Sequence, residues 1–157
     1  MNPYAKFGLM ILTSTLAMFA MMYSNVYQAE HIYFSETRVY MAIFMGAVMA
    51  IIMLTFMQGM YKNKKHNLMI YAGSVLIAVL SLWLMRSQAT VDQVSWMKAM
   101  IPHHSIAILT SERATITDPR VRELADGIIQ TQKQEIAQMQ QLIVELEQDK
   151  KQQPAQQ

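Results

Sequence analysis

The chain has 157 residues, of which 53% are hydrophobic and 15% charged, and its formal net charge is +2. Its few, dispersed bases do not form the concentrated positive surface that nucleic acids require, so nucleic acid is not expected as a partner. The absence of cysteine excludes disulfides, thiolate metal sites and a cysteine nucleophile. Any soft-metal chemistry must therefore use histidine and the unusually abundant methionine, which occurs 16 times.

Three apolar runs in the first half of the chain are long enough for membrane helices, which need about 20 mostly apolar residues. We predict a transmembrane region over 1–86, with spans at about 7–27, 39–61 and 68–85. The first run follows Lys6, as in a signal peptide. It is too long and lacks a clean small-residue cleavage site, so we expect it to be retained as an anchor.

Charges in the connections predict the orientation of the spans. Lys62, Lys64 and Lys65 lie between the second and third runs and form what we call the lysine loop. The positive-inside rule places this loop in the cytoplasm. The N-terminus is then also inside, and the loop after the first span and everything after the third span lie outside. We therefore predict a bacterial inner-membrane protein with a periplasmic C-terminal domain.

Charged and histidine side chains in the connections are candidates for further ligands. Glu30, His31 and Glu36 lie in the outer loop and face the same predicted compartment as the C-terminal domain. We expect them to be surface residues, with a contribution to a metal site as the alternative. His66 belongs to the cytoplasmic connection, where no function is predicted for it.

The second span contains two rows with a spacing of four residues, which are ridges on a helix. The small row predicts close helix contacts within lipid. We interpret the methionine row as side chains that fill irregular packing gaps. The alternative is that its thioethers form a path for a soft cation. The small row is Ala42, Gly46 and Ala50, and the methionine row is Met41, Met45, Met49, Met53 and Met57.

The last part of the chain predicts an antiparallel helical hairpin over 87–149, so the fold class is all-α. One helix should run to about Ala114 and the other from Pro119 to about Gln148, with Asp118 as the cap of the second. A segment of about 60 residues has a marginal core. We therefore expect self-association, most simply into a four-helix bundle, and a disordered tail over 150–157.

The first hairpin helix carries Met97, Met100, His103 and His104 within about two turns. Thioethers select Cu(I), and imidazole suits copper and zinc, so this set without thiolates favours copper. A packed seam whose histidines bond to carbonyls is an equally open interpretation. Pro102 lies in the same helix and lacks a backbone N–H at the point where these side chains cluster.

The antiparallel register brings the second hairpin helix into the same region. It places Gln132 and Glu135 opposite the histidines, and it places Met139 opposite the methionines of the first helix. We expect Glu135 to accept a hydrogen bond from the distal ring nitrogen of a histidine, as carboxylates do behind metal ligands.

The hairpin resembles the family catalogued as domain of unknown function 305. The resemblance rests on M-I-P-H-H at 100–104, Ala107, D-P-x-V-R-x-L-A at 118–125, the Ile pair at 128–129, and Q-x-x-E-I-x-x-M at 132–139. It implies a ferritin-like four-helix bundle that binds copper. The ligands it implies are Met97, Met100, His103, His104 and Met139.

Two positions depart from the family pattern, which commonly has an acidic residue and then a methionine after the histidines. This chain has Leu109 and Thr110 there. The leading hypothesis is a membrane-anchored copper-binding protein, with Cu(I) favoured, for buffering, resistance or delivery. A homo-oligomer and a copper-handling protein are the expected partners, and enzymatic activity is not expected. The alternative is an assembly module with structural histidines, which Leu109 and Thr110 favour.

Overall fold

The computed structural model describes residues 2–152, and this part of the chain contains α-helices, a short 3-10 helix and no strand. The all-α prediction is therefore confirmed. The helices are α1 (Pro3–Met21), α2 (Glu36–Phe56), α3 (Lys64–Ser87), α4 (Gln93–Arg113) and α5 (Pro119–Gln152), and the 3-10 helix is Ala29–His31. The chain forms two compact units: one contains α1, α2 and α3, and the other contains α4, α5 and the segment Tyr23–Ser35.

The first unit contains three helices that are long and apolar enough to cross a membrane. The N-terminus of α1 is capped by Asn2, whose side-chain oxygen accepts from the Tyr4 N–H at 3.0 Å, and Pro3 occupies the first turn. The helix ends at Met21, six residues before the predicted end of the span at Tyr27. The apolar run continues to Tyr27, but its last residues belong to the second unit, where Tyr27 packs against the hairpin core.

The small residues of α2 are buried, as the sequence predicted. Gly46 packs directly against α1: a Cβ atom at this position would lie 2.3 Å from Oγ1 of Thr15. The methionine row is less deeply placed, and Met53 and Met57 pack against the core formed by Phe7, Ala50, Leu54 and Tyr61. These contacts agree with the interpretation of the row as packing. A path for a soft cation along its thioethers stays a hypothesis.

The third helix does not continue into the hairpin. Its C-cap residue, Gln88, is left-handed with a φ of 54°, and Asp92 begins α4 by accepting from the Ser95 N–H at 2.7 Å. The first hairpin helix therefore begins at Gln93, six residues after the predicted start of the hairpin at 87, because the left-handed residue and the Asp92 cap separate two helices.

The hairpin turn follows the prediction at its second helix. Asp118 accepts from the Arg120 N–H at 2.9 Å, and Pro119 is the first residue of α5. At the far end of the hairpin, Lys98 and Glu147 form an ion pair of 2.6 Å, which fixes the antiparallel register. The helix α5 continues to Gln152, so residues 150–152 of the predicted disordered tail are helical; the remainder, 153–157, lies outside the described residues.

The core of the second unit, which we call the hairpin core, is an apolar seam between α4 and α5. Ile101 and Ile108 are fully buried in it, and Ile129 and Leu146 pack against it. Tyr27 and Tyr33 of the connecting segment Tyr23–Ser35 also pack against this seam. The sequence had assigned this segment to the membrane region, so the hairpin domain is larger than the predicted 87–149. The residues of the hairpin core are Val94, Met97, Ile101, Ile108, Ile136, Met139 and Ile143.

Candidate metal centre

His104 lies at the centre of the predicted site and bridges the two hairpin helices. Its Nδ1 is 2.8 Å from the carbonyl oxygen of Met100, one turn earlier on α4. Its Nε2 is 2.9 Å from Oε2 of Glu135 on α5. The same Oε2 accepts from the side-chain amide of Gln132 at 3.1 Å. The sequence prediction that Glu135 meets the distal nitrogen of a histidine is therefore correct in geometry.

These contacts determine what His104 can do. A carbonyl oxygen and a carboxylate oxygen are both hydrogen-bond acceptors, so each ring nitrogen of His104 faces an acceptor. A metal can bind Nε2 only if it displaces Glu135 from that nitrogen. The carbonyl contact is also the one that the packed-seam interpretation expected.

The predicted thioether ligands lie in or against the hairpin core, in the seam that His104 bridges. Met97 and Met139 are 5% and 7% exposed and belong to the hairpin core, and Met100 packs against that core. The cross-helix pairs His104–Glu135 and Lys98–Glu147 give an antiparallel register in which Met139 lies opposite the methionines of α4, as predicted. Thioether sulfur is a weak hydrogen-bond acceptor, so its burial carries little desolvation cost, and it stays available to a soft cation.

His103 occupies a different environment from the other predicted ligands. Its side chain is exposed, and its ring centroid lies 6.2 Å from that of His104 in an edge-on arrangement. Adjacent residues on a helix point about 100° apart, and only His104 points toward α5. The structure thus brings the three methionines and His104 to one seam and leaves His103 at its surface.

The surroundings supply few hard ligands. Within residues 2–152, no group of three or more His, Cys, Asp or Glu side chains is arranged to hold a metal ion. At the two positions that depart from the family pattern, Leu109 is half-buried, and Thr110 is exposed with its hydroxyl donating to the Ile106 carbonyl at 3.0 Å. A metal site in this seam therefore depends on thioethers and His104.

A second polar cluster, which sequence reasoning missed, joins the connecting segment to α4. Ser105 is fully buried, and its Oγ accepts from the Tyr27 N–H at 2.7 Å. The same Oγ is 2.9 Å from Nδ1 of His31, which is itself buried. The expectation that His31 is a surface residue is therefore wrong. The signal was present in the sequence: Ser105 lies between Ile101 and Ile108 on the apolar stripe, where a hydroxyl needs a partner.

Burial sets the charge state of His31. The loss of hydration lowers the pKa of His31 below its usual value, against a smaller opposing effect from the charge of Glu30. His31 lines a cavity of about 230 Å³ together with polar side chains of the segment and of α5. Lys133 lies over the Tyr27 ring at 5.7 Å, and the Tyr27 hydroxyl donates to Glu112 at 3.3 Å. The connecting segment is thus fixed to the hairpin by several independent contacts.

Comparison with known proteins identifies the class to which this helical hairpin belongs. Residues 82–157, which include all of α4 and α5, match the family described as Domain of unknown function (DUF305). The chain belongs to this family, and the resemblance recognised in the sequence is confirmed.

A second comparison gives a match that is longer than the hairpin. The chain is 32% identical over 108 residues to an uncharacterized protein of Acanthamoeba polyphaga mimivirus, covering 68% of this chain and 69% of the relative. No solved structure gives a significant match to the chain.

Proposed function

We propose that this protein is anchored in a bacterial inner membrane by α1, α2 and α3 and binds Cu(I) in the hairpin on the periplasmic side, for copper buffering, resistance or delivery. The ligands would be the thioethers of Met97, Met100 and Met139 together with His104. His103, at the surface of the same seam, would serve in capture or transfer of the ion. Copper is the cargo of this protein, which is not proposed to be an enzyme.

The arrangement of the chain supports the proposed orientation. The segment Tyr23–Ser35 connects α1 to α2, and it packs in one unit with the hairpin. Two segments packed together must lie on the same side of a membrane. The positive-inside rule, applied to the lysine loop, placed both of them outside on independent grounds.

The observation that carries the copper proposal is that Met97 and Met139 lie in the hairpin core and Met100 packs against it, in the seam between α4 and α5 that His104 bridges. Soft thioethers favour Cu(I) over the harder divalent ions. Occupation of the site would require His104 to exchange Glu135 for the metal at Nε2, and a histidine binds a metal only through a nitrogen that carries no proton. Copper affinity should therefore fall as pH is lowered.

A second candidate function is a membrane assembly module that binds no metal. The observation that favours it is the pair of hydrogen bonds that occupies both nitrogens of His104. Large apolar side chains on α5 are also exposed, among them Val121 at 48% and Leu124 at 65%. Their burial in a homo-oligomer would complete a four-helix bundle from two hairpins, and we propose this assembly under either function.

The experiment uses the full chain, because a hairpin fragment would lack Tyr27 and His31. The detergent-solubilised protein is dialysed against Cu(I) under reducing conditions, and bound copper is measured per chain. We expect stoichiometric copper in the wild type and in Met69→Leu, which changes an exposed methionine of α3. We expect large losses in Met139→Leu and in His104→Gln.

Two outcomes separate the candidate functions. If the wild type binds no stoichiometric copper, or if Met139→Leu binds as well as Met69→Leu, the copper proposal fails. Oligomers that persist without copper would then support the assembly module. A copper-handling protein that takes the ion from the loaded chain is the expected partner, and its transfer rate should fall in His103→Gln.

A further inference from the structure

The first unit contains an apolar groove of about 540 Å³ that the proposed copper function does not use. Small residues of α2 form its floor, namely Gly46, Ala47 and Ala50. One wall belongs to α1 and the other to α3. The wall residues are Tyr4, Phe7, Gly8, Ile11, Leu12 and Thr15 on α1, and His66, Ile70, Ser74 and Ile77 on α3.

The length of the groove corresponds to one leaflet of a bilayer. Along α1 it runs from Tyr4 to Thr15, and along α3 from His66 to Ile77. At a rise of 1.5 Å per residue, each wall is about 16 Å long. The hydrocarbon core of a bilayer is about 30 Å thick. The groove therefore extends from one membrane surface to about the midplane.

The end of the groove on the lysine-loop side is polar and closed. The Tyr4 hydroxyl donates to Oδ1 of Asn67 at 2.9 Å, and it accepts from the Asn63 N–H at 3.0 Å. The Tyr4 ring also stacks on His66 with a centroid distance of 5.1 Å. These contacts join the first turns of α1 and α3, so the groove is closed at the level where aromatic and polar side chains meet lipid headgroups.

The charge around this end is positive. Lys6 lies in α1 next to Phe7, and the lysine loop leads into the first turn of α3, directly before His66. The segments that form this end, 2–10 and 57–70, contain no aspartate or glutamate. Lysines at a membrane surface attract anionic lipid headgroups.

We infer that the groove is a binding site for one acyl chain of an anionic phospholipid from the leaflet on the lysine-loop side. The chain lies between α1 and α3 on the small residues of α2, and its phosphate contacts the lysines at the closed end. A helix from a second copy fits less well, because a spanning helix is about 10 Å wide and needs a groove through the full bilayer.

This inference rests on the proposed membrane insertion of α1, α2 and α3, but not on copper binding. Carbonate extraction of membranes that contain the full chain tests insertion separately, and a chain that is extracted overturns both proposals. For the inserted chain, the purified protein is stripped of lipid in detergent and titrated with phosphatidylglycerol or phosphatidylcholine. Bound lipid is counted per chain by native mass spectrometry.

Gly8→Leu is the variant designed to fill the groove. A Cβ atom at Gly8 meets no atom within 4 Å, so the new side chain enters the groove without a clash. Gly73→Leu is the matched control, because Gly73 is equally open and does not line the groove. We expect at least a tenfold loss of phosphatidylglycerol binding in Gly8→Leu and no loss in Gly73→Leu.

Further measurements identify the occupant. Lys64→Gln combined with Lys65→Gln should abolish the preference for phosphatidylglycerol over phosphatidylcholine. A photoreactive group at mid-chain of the lipid should label the wild type on the groove faces of α1 and α3. Equal lipid binding in Gly8→Leu and Gly73→Leu, or labelling spread evenly over the three helices, overturns the inference. So does a Gly8→Leu chain that loses its oligomeric state but keeps its lipid, because the occupant is then a second copy.

Discussion

The two units of this protein are held together by different kinds of contact. In the first unit, small side chains on α2 let the helices approach closely, and large apolar side chains such as Leu16, Leu68 and Leu76 are more than half exposed. In the second unit, large aliphatic side chains are buried between α4 and α5, an ion pair joins these two helices, and a buried serine of α4 bonds to the connecting segment.

This difference is the one expected if the first unit lies in lipid and the second in water, as proposed. Lipid tails are as apolar as leucine, so burial of leucine gains little in a membrane, and close packing of small residues stabilises helix contacts instead. In water, burial of apolar surface is the main favourable term. The exposed leucines of the first unit and the buried isoleucines of the second are therefore each consistent with the proposed location.

The largest effect is expected in the second unit. Ile101→Ala removes a fully buried side chain from the hairpin core and should lower the free energy of unfolding of that unit by about 2–5 kcal/mol. Pulse proteolysis of the full chain in urea and detergent measures the change. Val144→Ala, on the exposed face of α5, should change stability by less than about 0.5 kcal/mol. Equal effects at the two sites would contradict the assigned core.

The corresponding test in the first unit adds atoms instead of removing them. Gly46→Ala places a Cβ against Thr15 Oγ1 and should weaken the packing of α1 on α2 by about 1–3 kcal/mol. Steric trapping of the inserted protein in bicelles measures this change, with Gly73→Ala as the control. Thr15→Ala combined with Gly46→Ala should restore part of the loss. A neutral Gly46→Ala would mean that this close approach is not a tight contact.

The polar contact between the connecting segment and α4 should contribute a smaller, local effect. Ser105→Ala leaves the Tyr27 N–H without its acceptor in a buried position, which costs about 1–3 kcal/mol. Hydrogen exchange should increase in the segment Tyr23–Ser35 more than in α5. Thr110→Ala removes an exposed hydroxyl bonded to its own helix and serves as the control. Unchanged hydrogen exchange in Ser105→Ala would show that this hydrogen bond does not hold the segment on the hairpin.

The smallest effect is a pH dependence of the second unit that comes from His31. Burial lowers the pKa of His31 in the folded chain, so the unfolded chain takes up a proton first as pH falls. Stability from this group is present above the ordinary value of about 6.5 and decreases as pH drops below it, until the folded form is protonated as well. His31→Gln should flatten this part of the profile, as followed by urea unfolding between pH 7.5 and about 5. An identical slope in His31→Gln would assign the dependence to other groups.

The sequence was sufficient for the parts of the fold that depend on local signals. Apolar runs and charge placement predicted the three long apolar helices, and Asp118 with Pro119 predicted the start of α5. The antiparallel register then placed Glu135 beside a histidine and Met139 beside Met97, because these pairings follow from helix geometry and a short turn. The family resemblance rested on these same residues.

The rest depended on tertiary contacts that no local pattern contains. The end of α1 at Met21 could not be separated from the apolar run to Tyr27, since packing on a protein core and insertion into lipid both select apolar residues. His31 was expected at the surface because its partner, Ser105, is distant in sequence. Which of the two histidines meets Glu135 likewise depends on side-chain placement across the hairpin.

The central claim, that the hairpin seam binds Cu(I) through thioethers and His104, is tested most directly by X-ray absorption spectroscopy of the copper-loaded full chain. We predict sulfur and imidazole nitrogen ligands to the metal. The sulfur contribution should decrease in the combined Met97→Leu and Met139→Leu variant and stay unchanged in Met69→Leu. A spectrum with only nitrogen and oxygen ligands, or one that these two core substitutions leave unaltered, would contradict the claim.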